Sequence, residues 1–172
     1  MLSGFYGAFS PACFALLGLW LVVVQIRMRE WQGSAAHRRR SYGVALHFVL
    51  PGMMSLLALV DPADPVFWRV SFAVIALSGA VVLTLVSGRP ARSMADRAGR
   101  LPEAPAADQL GLAGYLAAVV LYLLIGVLAV VGGLDVLRTE AVLLVLLVFL
   151  GFNMAWLLLF DSRYSSPAPA RP

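Results

Sequence analysis

The chain has 172 residues, of which 61% are hydrophobic and 13% charged, whereas soluble domains run at about 45–50% apolar and about 25% charged. A chain this apolar lacks the polar surface that keeps a protein dissolved, so the membrane class is favoured before any residue is placed. All 13 basic residues are arginine, a bias expected of a GC-rich bacterial genome. With no nucleic-acid motif beside it, the pI near 9.8 reads as charge retained in cytoplasmic loops, and no nucleic-acid partner is expected.

Five apolar runs follow one another, at about 5–26, 42–60, 66–87, 110–131 and 137–160. Each is close to the ~20 residues a helix needs to cross a hydrocarbon layer of about 30 Å. They are apolar on every face, unlike the alternating segments of about 10 residues in a barrel. The sequence therefore predicts an all-α, polytopic membrane helix bundle: one five-span domain over 1–164 and a proline-rich, disordered cytoplasmic tail over 165–172.

No charged residue precedes Arg27, so the first run has no basic n-region and reads as a permanent span. Gly7, Pro11, Ala15 and Gly18 fall on one face of it, and Gln25 continues that face. Small residues let helices approach closely, so this stripe predicts a packing seam. Cys13 is the single cysteine, which excludes an intrachain disulfide and a cysteine metal cage.

Arg27, Arg29, Arg38, Arg39 and Arg40 lie between the first two runs and are expected in an inner loop. Arg38, Arg39 and Arg40 are candidate contacts for anionic lipid head groups, each worth about 1 kcal/mol near such a leaflet. Arg89, Arg92, Arg97 and Arg100 precede the fourth run, and Arg163 and Arg171 follow the fifth. Eleven of the 13 arginines thus fall on one side, leaving Arg69 and Arg138 on the other. The positive-inside rule then predicts an N-out, C-in multi-pass protein of the bacterial cytoplasmic membrane.

In the second run, Pro51 cannot donate to the carbonyl of His47, and Gly52 follows directly, so a kink is expected there. Ser55 lies one turn further along the same face. The links at 61–65 and 132–135 are short, which makes the helices they join antiparallel neighbours. Asp64 before Pro65 reads as a helix start, and Asp108 is expected to cap the fourth span. Arg69 beside Trp68 is expected to anchor at the outer interface, by snorkelling or by pairing with Asp61 or Asp64. The stretch 89–108, with Pro90, Pro102 and Pro105, is expected to be irregular. Gly114 with Ala118 and Gly151 with Ala155 repeat the small-xxx-small spacing.

Gln25, His47, Thr84, Tyr115 and Asn153, one from each span, all fall in the half of the bilayer expected to face the cytoplasm. They are a candidate polar cavity. No acidic or basic residue falls in the middle of a span, which weighs against proton-coupled transport. Two histidines, one cysteine and no buried carboxylate provide no expected metal site, and His37 belongs to the basic inner loop. Ser10 and Cys13 have no base nearby in sequence, and no nucleotide-binding motif occurs, so neither an enzyme nor a cofactor is expected. The expected role is a non-catalytic structural or accessory membrane component, with the lipid bilayer and a homo-oligomer or membrane-protein partner around it. The alternative is a small-solute channel or transporter using the polar cavity, and a second is a membrane-embedded, lipid-modifying enzyme.

Overall fold

The computed structural model describes residues 2–31, 35–60, 64–98, 106–132 and 136–160. Five helices form it: α1 (Leu2–Trp31), α2 (Ala35–Val60), α3 (Pro65–Ala98), α4 (Ala106–Val131) and α5 (Val136–Leu159). All five are long and apolar enough to cross a membrane, with apolar windows from 21 residues in α3 and α4 to 27 in α1. The tail at 165–172 lies outside the described residues.

Two helix boundaries correct the sequence expectation. The supposed inner loop carrying Arg27, Arg29 and Arg38–Arg40 is helical, because α1 runs to Trp31 and α2 begins at Ala35. The 30 residues of α1 extend about 45 Å at a rise of about 1.5 Å each, well beyond the hydrocarbon layer. Likewise α3 runs through Pro90 to Ala98 and α4 starts at Ala106, so most of the expected irregular stretch has helical backbone. Alanine and arginine are strong helix formers, and a helix leaving the membrane loses nothing by continuing into water.

Helix starts follow local chemistry. The carboxylate of Asp64 accepts the amide of Val66 at 2.8 Å, and Pro65 takes the first helical position, as the sequence predicts. Asp108 does not precede its helix: α4 begins two residues before it, so it lies inside the first turn. Of the two aspartates suggested as partners for Arg69, Asp61 lies outside the described residues. The Arg69 guanidinium donates to the carbonyls of Ala129 (2.9 Å) and Val130 (2.6 Å), closing the last turn of α4.

The packing is a four-helix ring with one helix outside it. α2, α3, α4 and α5 touch in that cyclic order, and α1 lies against α2 and more lightly against α5. α2 is the most enclosed helix: 56% of its apolar window is buried against 17% for α1. The face of α5 that turns inward repeats at helical spacing through Glu140, Leu144, Leu147, Gly151, Met154 and Leu158. Outward, Leu19, Val74, Leu85, Val127 and Phe149 are exposed. An apolar belt of that extent is at home in lipid and not in water.

Candidate functional site

The five residues proposed to line a cavity do not gather. His47 and Tyr115 are buried, whereas Gln25, Thr84 and Asn153 are exposed on the outer surface of α1, α3 and α5. Thr84 donates to the carbonyl of Ala80 (2.7 Å) and Asn153 to that of Phe149 (2.8 Å). Each thereby satisfies itself on its own helix, which is how a single polar side chain tolerates an apolar surface. The sequence could not assign their faces.

Inside the ring, the polar groups are wired to main-chain carbonyls of α2. Tyr115 and Tyr122, two turns apart on α4, donate to the carbonyls of Arg40 (3.4 Å) and Leu46 (3.3 Å). α2 and α4 are diagonal across the ring, so these phenols span its interior. Gly43 makes room: a Cβ there would lie 2.6 Å from the Tyr115 hydroxyl. Sequence reasoning noticed Tyr115 and missed Tyr122. The seven-residue spacing of the two tyrosines on one helical face was the available signal.

α1 is fastened to α2 by two similar bonds. Ser10 donates to the carbonyl of Gly52 at 3.2 Å, and the indole of Trp20 to that of Ser41 at 3.1 Å. Beyond Trp20 lies an aromatic stack in which Trp31 contacts Trp20 and His37. His37 is therefore a buried member of the first turn of α2 and not a loop residue. Of the arginines singled out for lipid contact, Arg38 is exposed while Arg39 and Arg40 are half-buried.

α2 is continuous through Pro51 and Gly52. The turn around the proline is occupied on both sides, since Ser55 donates to the Pro51 carbonyl at 2.9 Å and Ser10 reaches Gly52. His47 bonds through Nδ1 to the carbonyl of Gly43 at 2.7 Å. A carbonyl only accepts, so Nδ1 carries the hydrogen and Nε2 is left as a bare acceptor. That Nε2 is buried with no hydrogen-bond partner.

The expectation that no carboxylate is buried is overturned by Glu140. It is completely buried, and neither of its side-chain oxygens has a hydrogen-bond partner. It is the fifth residue of α5. Its register with Leu144, Leu147 and Gly151 turns it into the bundle. One turn before Glu140, the carbonyl of Leu137 accepts from the Tyr6 hydroxyl of α1 at 3.1 Å, and Tyr6 begins a chain of rings. Phe72 meets Tyr6 and Trp68 edge-on, with centroids 6.4 and 6.0 Å apart.

Among the described residues no cluster of three metal-ligating side chains occurs. A shallow groove lined by Val66, Val70, Ala73, Val74 and Ala129 runs between α3 and α4 on the outer surface beside Arg69. Comparison with known protein families, with characterised proteins and with solved structures finds no match.

Proposed function

We propose that this chain is a non-catalytic integral membrane component that works by lateral association, presenting the outer face of α1 to another membrane-embedded helix. The observation that carries this reading is the small-residue stripe of α1. Gly7, Pro11, Ala15 and Gly18 all face outward, and a Cβ built on Gly7 or Gly18 would meet nothing within 4 Å. The comparable pairs in α4 and α5 are consumed inside the chain: Gly114 lies against Met154, and Gly151 against His47 and Phe48.

Lipid gives no hydrophobic driving force for helix association, so close backbone approach supplies it. A stripe of small side chains leaves a shallow trough that acyl chains fill less well than a helix does. Gln25 extends the same face as an exposed polar side chain within the apolar window. A transport cavity built from Gln25, Thr84 and Asn153 has lost its footing, since all three face outward. In this reading the arginine-rich ends lie in the cytoplasm and α1 enters from the opposite side.

The test is association in liposomes, measured by energy transfer between labelled copies and by crosslinking to co-purified membrane proteins. Gly7→Leu with Gly18→Leu should abolish the signal while leaving the melting temperature unchanged. A wild-type chain that remains alone, in its own membrane as well as in liposomes, would remove this reading.

A further inference from the structure

Three groups at one end of the bundle occupy nearly the same layer. Tyr6 is the fifth residue of α1, Trp68 the fourth of α3 and Glu140 the fifth of α5. All three are buried, as is Phe72 between the rings of Tyr6 and Trp68. The Tyr6 hydroxyl reaches the carbonyl of Leu137, one turn before Glu140 on α5. Both oxygens of Glu140 and the indole Nε1 of Trp68 lack any hydrogen-bond partner.

Among the described residues, none brings a counter-charge to this carboxyl. Arg69 is committed to the carbonyls of Ala129 and Val130, and Arg138 is exposed. Among the described residues, the closing turns of α2 (Ala58, Leu59, Val60) and α4 (Leu128 to Val131) offer only apolar side chains, and the first turns of α1 offer the Tyr6 phenol and the neutral hydroxyls of Ser3 and Ser10 but no charge. An ionised carboxylate with no partner in such surroundings is among the costliest groups to bury. Nothing among the described residues supplies the positive charge that an ionised Glu140 would need. A hard metal cation asks for about six oxygens, more than this cluster presents. A proton needs no space.

We propose that Glu140 is a proton-binding site that holds a proton while this end of the bundle is packed and exchanges it when α1 parts from α5. On release, the carboxylic O–H bond breaks, the proton passes to water at the Tyr6 end, and water solvates the carboxylate left behind. The Tyr6 hydroxyl is the latch, because its bond to the Leu137 carbonyl joins α1 to α5 one turn ahead of Glu140. Tyr6 is here a positioning residue, and Glu140 is the group that binds. The inference is independent of the association proposed for the opposite face of α1.

The experiment is infrared spectroscopy of the full chain in liposomes at neutral pH, comparing wild type with Glu140→Gln. Exposed carboxyls are ionised at that pH, so the expected result is an acid carbonyl band present in wild type and missing in the variant. The band should shift on transfer to deuterated water, and in Tyr6→Phe the shift should run about three to ten times faster, the scale set by one net hydrogen bond. Glu140→Asp, which keeps a carboxyl, should restore an acid band and guards against a variant that fails to fold. No acid band at neutral pH in wild type would overturn the proposal. So would a band whose exchange is no faster in Tyr6→Phe, because the carboxyl would then be sealed and not exchanging.

Discussion

Gly151 and His47 define how closely α5 approaches α2: a Cβ on Gly151 would overlap the Cβ of His47 and lie 3.2 Å from its Cγ. The imidazole is fixed by its bond to the Gly43 carbonyl, so it cannot swing aside freely. Gly151→Ala should therefore destabilise the bundle by about 1–3 kcal/mol through overpacking. Gly7→Ala, with open space around it, should shift stability by less than about 0.5 kcal/mol. Thermal unfolding in detergent micelles reads both, and equal effects would disprove the close approach.

His47 itself balances a bond made against an acceptor unmade. His47→Leu removes the bond to Gly43, worth about 1 kcal/mol net, and also removes a buried unpartnered nitrogen that costs about 1–3 kcal/mol. The expected outcome is stability equal to or slightly above wild type. A loss of several kcal/mol in the same melting assay would show that Nε2 has a partner in the membrane.

Arg69 closes α4 with two charged bonds to consecutive carbonyls. Arg69→Gln should cost about 1–2 kcal/mol and loosen the last turn of α4. Arg69→Lys should recover only part of this, since a single ammonium cannot reproduce the fork of a guanidinium. Hydrogen exchange at Gly132, whose amide bonds to the Leu128 carbonyl at 2.8 Å, should accelerate in Arg69→Gln and less in Arg69→Lys.

The two clasps between α1 and α2 should act independently. Ser10→Ala should cost about 0.6 kcal/mol, a typical value for such bonds in membranes. Trp20→Phe should cost about 1 kcal/mol for the lost indole bond. Ser10 and Trp20 are ten residues apart on one helix, about 15 Å along its axis, so the double variant should be additive to within about 0.5 kcal/mol. Strong coupling in a double-mutant cycle would mean that α1 docks as a single all-or-none unit.

Glu140→Leu replaces a buried, unsatisfied carboxyl with an apolar side chain of similar reach. It should raise stability by about 1–2 kcal/mol. A melting temperature that falls instead would show that the carboxyl makes a contact essential to the fold.

The number and position of the spans were legible because each depends on local composition: about 20 apolar residues in a row will cross a membrane whatever they pack against. The Asp64–Pro65 helix start was legible for the same reason, since a cap reaches only two residues along the chain. Helix ends were less so. At Trp31 and Ala98, residues that favour helix carry it past the apolar run, and hydropathy has no means of registering this.

The faces were not legible. Every span is apolar all round, so periodicity gives no inward direction, and the stripe of α1 that reads as a seam looks outward while the pairs in α4 and α5 look inward. By itself the sequence determined that five helices are long and apolar enough to enter a membrane and how far along its own span each polar residue stands. Only the tertiary structure decided that α2 is the most buried helix, that Tyr115 and Tyr122 cross the ring to reach it, and that Glu140 is sealed within. The physical reason is that depth follows from position along one helix, whereas burial follows from which side of that helix its neighbours occupy.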